Sequence, residues 1–266
     1  MKIGFIGTGN MGGALARAAA KGGHTLLLAN RTPAKAVALA KELGGTVCPN
    51  AEAAETAELL FLGVKPQGLP GLAGELAPVL QARKGNAPVV VSMATAVTLR
   101  ELDAMLGGGL PLIRIMPNTP AAVGAGTILY AAQNVTDAQL NAFRAVLAQA
   151  GLLLPLPEAQ IDAASAISGC GPAFCFQFAD ALALGGVRAG LSYPDACRLA
   201  AQTMLGAAEM LLQGGEAPDV LKMRVCSPAG TTIEGVLALE QGGFSYTVQN
   251  AVTAAYRRTV DMTKKG

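Results

Sequence analysis

Two stretches of this sequence carry residue types at spacings that suit chemistry on a bound small molecule. Gly7-Thr8-Gly9-Asn10-Met11-Gly12 reads G-x-G-x-x-G, directly after apolar residues 2–7 and directly before an Ala-rich helical pattern. In that setting it is the dinucleotide fingerprint. Gly7 allows a tight turn, Gly9 lets backbone approach a pyrophosphate, and Gly12 lets helix and strand pack closely. The N–H groups of Asn10, Met11 and Gly12 open a helix that attracts an anion. Roughly 20 residues further on, an NAD site places a carboxylate to accept from the ribose hydroxyls. Here the chain reads Ala29-Asn30-Arg31-Thr32, a guanidinium with neutral donors. That set suits a 2′-phosphate, so NADPH is favoured over NADH, which remains a possible substitute. The alternative for Arg31 is an exposed residue capping the helix that begins at Thr32-Pro33.

The second stretch, Val225-Cys226-Ser227-Pro228-Ala229-Gly230-Thr231-Thr232-Ile233-Glu234, reads as a helix start. Pro228 suits the first helical position after a Ser cap, and Thr231-x-x-Glu234 fits a capping box one turn later. In either register the amides of Gly230, Thr231 and Thr232 point out among hydroxyls, a neutral pocket suited to a carboxylate; plain capping is the alternative. Ser168-Gly169-Cys170-Gly171-Pro172-Ala173-Phe174 interrupts a helical run and predicts a break or kink. Such a break serves close backbone approach to a ligand or partner helix, or a plain helix corner.

The elements that hold these stretches alternate. Strands are expected near 2–7, 25–29, 59–64, 89–91, 111–116, 126–131 and 151–155, and helices near 10–21, 33–43, 69–82 and 136–149. This is an α/β pattern with a parallel sheet and crossover helices. From about residue 160 the pattern is helical throughout. The expected division is a nucleotide-binding domain over 1–158 and an all-helical domain over 159–266, whose helices carry apolar residues on more than one side. A subunit interface is their natural use.

Composition narrows the function classes. With 266 residues, 52% hydrophobic and 14% charged, disorder is excluded. A net charge of +2, with no basic run beyond Lys264-Lys265, leaves no footprint for nucleic acid or an acidic membrane surface. Apolar stretches are cut by Gly, Pro or polar residues before reaching the roughly 18–20 residues of a span. Five scattered cysteines without a CxxC pair argue against a disulfide framework and a zinc site, and for a cytoplasmic protein. His24 is the one histidine, so a His-centred triad has no material.

On these motifs together the chain resembles the Δ1-pyrroline-5-carboxylate reductases. The resemblance runs over the full length. It rests on Gly4 to Gly12, Val64-Lys65-Pro66-Gln67, Met116-Pro117-Asn118-Thr119-Pro120, Ser168 to Phe174 and Ser227 to Thr232. It implies an N-terminal Rossmann-type domain followed by a helical dimerisation domain, dimers that in some members assemble into decamers, and NAD(P)H-dependent reduction of the cyclic imine to L-proline. By motif, Asn50, Val64, Lys65, Pro66, Met93, Ala94 and Asn118 are implied to line the cofactor cleft. Ser227 and the Gly230 to Thr232 amides are implied to hold the substrate carboxylate, and Thr232 matches the family's proposed proton donor. Cys170, Phe174, Ala229 and Thr95-Ala96 depart from the usual Ser, Tyr, Gly and Ala-Gly.

A cyclic imine is basic enough to be protonated near neutral pH, so positioning rather than a strong protein acid is expected to dominate. The nearest rivals, a β-hydroxyacid dehydrogenase or related imine reductase, share this layout, but such dehydrogenases use a lysine on a helix of the second domain. After residue 160 the lysines are Lys222, Lys264 and Lys265, none in a Lys-x-x-Asn setting. A non-catalytic redox sensor leaves the hydroxyl-rich helix start unexplained.

Overall fold

The structure, a computed structural model, describes residues Met1–Thr263; Lys264-Lys265 lie outside the described residues. Two compact units are present, Met1–Gly169 with the end of the final helix from Tyr256, and Cys170–Ala255.

The first unit is built on an eight-stranded sheet. Its strands are β1 Lys2–Ile6, β2 Thr25–Ala29, β3 Thr46–Val47, β4 Leu59–Leu62, β5 Val89–Ser92, β6 Leu112–Pro117, β7 Gly126–Gln133 and β8 Gly151–Pro155. Its helices are α1 Asn10–Ala20, α2 Pro33–Leu43, α3 Asn50–Thr56, α4 Leu69–Ala82, α5 Leu99–Met105, α6 Asp137–Leu147 and α7 Glu158–Ser168. The spatial order is β3-β2-β1-β4-β5-β6-β7-β8, parallel except for β6 against β7. That exception follows from chain length. Residues 118–125 leave no room for the dozen or more residues of a parallel crossover, and the segment holds only a 3₁₀ turn, Thr119–Val123.

Strands buried on both faces explain why the sequence shows apolar runs rather than alternation. Ile3, Phe5, Leu26, Leu28, Leu59 and Phe61 face one core with α1, α2 and α6; Ile6, Leu27, Leu60, Leu62 and Val90 face the other with α3, α4, α5 and α7. Phe5 and Phe61 stack across β1 and β4 with ring centroids 4.6 Å apart. Chain order reverses between β1 and β4, because β1 leads outward to β2 and β3 before β4 pairs on its other side. This is the switch point at which open α/β sheets bind ligands.

β3, α3 and α5 were not expected from the pattern. The first is two residues long, α3 buries only Ala53 and Ala54, and α5 is seven residues. The last did carry a signal: Thr98 and Glu101 form a reciprocal capping box, and the Thr98 hydroxyl and amide hold the Glu101 carboxyl below the usual carboxylate range. The compact units also divide later than 158, because α7 packs on the sheet. Arg114 of β6, 4% exposed, pairs with Asp162 at 2.6 Å and Glu158 at 3.4 Å, both on α7.

The second unit comprises α8 Gly171–Arg188, α9 Tyr193–Gly214, α10 Pro218–Arg224, α11 Thr231–Gln241 and the start of α12 Phe244–Thr263. Among its described apolar residues only Ala183, Ala196 and Ala200 are buried. Phe176, Leu184, Leu199, Leu212 and Tyr246 are exposed. So much uncovered apolar surface marks an interaction face. The Tyr193 hydroxyl donates to Asp180 at 2.7 Å, tying α8 to α9. That bond, with Cys197 alongside, pushes the phenol up to about 12.

The expected break at Ser168 to Phe174 is shallow. Gly169 and Cys170 keep right-handed helical dihedrals, so Glu158–Arg188 is one helical run of 31 residues. By length and composition that run is enough to cross a membrane, where the sequence pattern predicted none of that length.

Candidate active site

The sheet places the first site at the C-terminal ends of its parallel strands. Register pairs Ile6 with Ala29 on one side and Leu62 on the other, so Gly7 emerges between the ends of β2 and β4. Gly7 has φ +98, and a Cβ there would overlap the Gly63 carbonyl. Gly7 N–H donates to Ala29 O at 2.8 Å and Gly63 N–H to Ile6 O at 2.7 Å, which pins both turns to the sheet. A Cβ on Gly12 would overlap the Gly7 carbonyl, so this glycine serves the loop itself rather than helix–strand packing. Helix α1 starts at Asn10 with Gly9 as N-cap and no side-chain cap, and a Cβ on Gly9 would meet only open space. The N–H groups of Asn10, Met11 and Gly12 therefore have no intrahelical partner and face open space.

Asn30 and Arg31 divide their work. The Asn30 Oδ1 accepts from Thr8 N–H at 3.0 Å and its Nδ2 donates to Thr32 O at 3.0 Å. Asn30 thus clamps the phosphate loop to the end of β2, with both polar atoms committed to backbone. Arg31 is exposed with no partner among the described residues, and Thr32, the N-cap of α2, makes no side-chain cap bond. Capping therefore does not account for either residue. Helix α2 also has no acidic residue in its first turn, leaving an uncompensated positive end beside Arg31. Sequence reasoning passed over Thr8, whose hydroxyl is the one buried side-chain polar atom without a partner among the described residues.

The remaining strand ends line up along the same edge. Val64 and Lys65 follow β4, and Pro66 opens the 3₁₀ turn Pro66–Gly68. Met93 is half-buried, whereas Ala94 is buried with its N–H turned to the Ser92 hydroxyl at 3.3 Å. Asn50 starts α3 and donates to Glu75 at 3.1 Å. Asn118, 7% exposed, is turned inward, accepting from Thr127 N–H and donating to Ser168 O, each at 2.8 Å.

Ala96 and Ala229, two of the positions that depart from the family pattern, have φ +62 and +57. Left-handed backbone costs a residue with a Cβ roughly 1–2 kcal/mol, so both loops store strain. The loop at Ala96 is held on its far side: Leu99 N–H donates to Glu158 at 2.7 Å, and Thr98 is locked by its capping box. Glycine there removes the clash but adds about 0.4–1 kcal/mol of unfolded-state entropy. The balance favours glycine by about 0.5–1 kcal/mol. Ala96→Gly and Ala229→Gly are each expected to raise Tm by about 2 °C in thermal unfolding, and a lowered Tm would contradict the strain.

The second site lies in the helical unit. Helix α11 starts at Thr231 with Gly230 as N-cap and no side-chain cap. Neither expected register holds, because Ser227 does not cap and Thr231-x-x-Glu234 does not close a capping box. Gly230 N–H instead donates to Ser227 O at 3.0 Å, closing a turn with Pro228 second and left-handed Ala229 third. That removes Gly230 from the expected free donors and leaves Thr231, Thr232 and Ile233 with open amides. The hydroxyls of Ser227, Thr231 and Thr232 make no hydrogen bond among the described residues, and all three residues are exposed. The Ser227 Oγ lies over Gly230, where a Cβ would overlap it.

Comparison with known proteins places the chain in a family. A family profile for pyrroline-5-carboxylate reductase dimerisation matches residues 158–262, and one for coenzyme F420-dependent NADP oxidoreductases matches residues 2–96. The chain is 35% identical to pyrroline-5-carboxylate reductase 3 of Macaca fascicularis, covering 99% of this chain and 97% of that protein. It is 37% identical to the Pseudomonas aeruginosa pyrroline-5-carboxylate reductase, again over 99% and 97%. A Plasmodium falciparum pyrroline carboxylate reductase with NADP bound superposes with TM-score 0.86 at 30% identity, covering 99% of this chain and 98% of that one. The Coxiella burnetii pyrroline-5-carboxylate reductase reaches 0.90 at 32% identity, over 97% of each chain. With this identity along nearly its entire length, the chain belongs to the pyrroline-5-carboxylate reductase family.

Proposed function

We propose that this protein reduces Δ1-pyrroline-5-carboxylate to L-proline with NADPH, the last step of proline biosynthesis, with NADH as a possible substitute. The observation that carries it is the uncapped start of α11, where three unbonded hydroxyls surround free amides in a chain that also holds a dinucleotide loop. NADPH, when bound, supplies the hydride that reduces the C=N bond. The amides of Asn10, Met11 and Gly12 hold its pyrophosphate and Arg31 its 2′-phosphate. Gly7 and Asn30 shape the loop, while Asn50, Val64, Lys65, Pro66, Met93 and Ala94 line the cleft. Ser227 and the Thr231 and Thr232 amides hold the substrate carboxylate, and the Thr232 hydroxyl faces the imine nitrogen. An imine that arrives protonated needs orientation more than a strong acid.

The helical unit is a dimerisation domain and the protein a homo-oligomer, with the exposed apolar faces of α8, α9 and α11 as the surface that a second copy covers. Assembly of dimers into decamers is part of the proposal, as are a cytoplasmic setting, supported by five free cysteines, and the absence of nucleic-acid and membrane partners. The α8 part of the Glu158–Arg188 run is assigned to the interface rather than to a bilayer. Steady-state oxidation of NADPH with pyrroline-5-carboxylate, and proline detected as product, tests the reading. Cofactor binding without proline formation would overturn it.

A further inference from the structure

We infer that Glu158 is a positioning residue for the nicotinamide half of NADPH, acting through the loop of residues 93–98. This rests on the function proposed above, and every residue involved lies in the first compact unit. Register aligns Ile6, Leu62 and Ser92 across β1, β4 and β5, so Gly7, Gly63 and Met93 leave the sheet side by side. Gly63 N–H donates to Ile6 O at 2.7 Å and Met93 N–H to Leu62 O at 3.4 Å, which ties that row together. At ~4.8 Å between neighbouring strands, the loop starts roughly 10 Å from Gly7, within the reach of one dinucleotide. Arg31 holds the adenosine end beyond β2, on the opposite side of Gly7. The nicotinamide half therefore runs over the ends of β4 and β5, toward residues 93–98.

That loop needs outside support. Ala96 stands at φ +62, a backbone that a residue with a Cβ keeps only where its surroundings fix it. On the near side Met93 is tied to β4, and Ala94 N–H donates to the Ser92 hydroxyl at 3.3 Å. On the far side Thr98 closes its capping box, and Leu99 N–H, at the start of α5, donates to Glu158 Oε1 at 2.7 Å. The same oxygen is held by Arg114, which is 4% exposed and reaches it at 3.4 Å. Arg114 also pairs with Asp162 at 2.6 Å, so it keeps a carboxylate partner when Glu158 is replaced. Glu158 thus joins the loop to β6, whereas the Asp162 carboxylate bonds Arg114 and not the loop. A loop ordered in advance binds its ligand more tightly, because binding does not have to order it. The phosphate loop is fixed independently by Asn30 and Gly63.

Two ligands and three variants separate positioning from general support. NADPH is titrated by its fluorescence without substrate, and adenosine 2′,5′-bisphosphate, which lacks the nicotinamide half, by calorimetry. Glu158→Ala removes the acceptor for Leu99 N–H. It should bind NADPH about tenfold more weakly, near the loss of one hydrogen bond to a charged group, and the bisphosphate within about twofold of wild type. Glu158→Gln keeps a neutral acceptor and should bind both ligands within about threefold of wild type. Asp162→Asn weakens the closer pairing of the same guanidinium without touching the loop, and should leave NADPH affinity within about twofold. If Glu158→Ala does not fold, Glu158→Met, which keeps the stem without the acceptor, carries the same expectation. Unchanged NADPH affinity without the acceptor, an equal loss for both ligands, or an NADPH loss in Glu158→Gln or Asp162→Asn as large as in Glu158→Ala would each overturn the assignment. So would failure of both the Ala and Met variants to fold. Wild type that binds NADPH without forming proline would overturn the proposed function instead, while the affinity comparisons would still decide the role of Glu158.

Discussion

Thr232→Ala is expected to lower kcat by roughly 10- to 1,000-fold while leaving the fold intact, at or below the usual range for general acid–base effects. The two halves of that expectation depend on the same geometry. Had Thr231 or Thr232 capped α11, each alanine variant would lose about 1 kcal/mol of stability and keep its turnover. The N-cap is Gly230, no side chain caps the helix, and the Thr232 hydroxyl has no partner among the described residues. Its removal therefore breaks no bond within the chain, and Tm should stay within about 1 °C of wild type. On the proposed function, what is lost is a donor for the substrate nitrogen. Ser227→Ala should act differently, mainly on KM, because its hydroxyl lies at the mouth of the turn over Gly230. Steady-state kinetics and melting curves on both variants check this. Normal kcat with a lowered Tm for Thr232→Ala would show the hydroxyl to be structural.

How much of this was legible in the sequence depends on how local each signal is. The strand, turn and helix around Gly7 to Gly12 were legible because their requirement is local: a strand, three glycines and a helix within a dozen residues. The order of the sheet was less legible. Antiparallel β7 follows from the short connection after Pro117, but β3 at two residues and α3 with two buried alanines have no periodicity to detect. Burial ties were invisible in a single sequence. Arg114 is an arginine in an otherwise apolar strand, and only the fold reveals that Glu158 and Asp162 await it. The same holds for the two amides. Asn30 and Asn118 were both assigned to the cofactor from motif alone, yet each spends its side chain on backbone of a distant segment. Position along the sheet edge was legible; the direction a side chain takes from that edge was not. Ala96 and Ala229 are the reverse case. Their alanines were visible in the sequence, and only the fold shows that both stand in left-handed backbone.

Replacing Arg31 by Glu is the second large expected effect, a fall of about 100-fold or more in kcat/KM for NADPH with NADH changed only a few-fold. A hydrogen bond to a charged group contributes about 1.5–3 kcal/mol, and each 1.4 kcal/mol is tenfold. Losing the bond alone thus accounts for roughly 10- to 100-fold, and a carboxylate facing a 2′-phosphate adds repulsion in the same direction. The structure strengthens the case over sequence alone in three ways. Arg31 has no partner among the described residues, so its charge is not already neutralised. The neighbouring Asn30 is occupied by Thr8 and Thr32 and cannot substitute. The first turn of α2 holds no acidic residue that would oppose an anion. Because the residue is exposed, part of the effect is screened, and the NADPH penalty should shrink as salt rises toward 1 M, where the Debye length falls to about 3 Å. NADH lacks the phosphate and should show no such salt dependence. The ratio of kcat/KM values for the two cofactors, measured for wild type and variant at low and high salt, decides it. A ratio that the substitution leaves unchanged would place the 2′-phosphate away from Arg31.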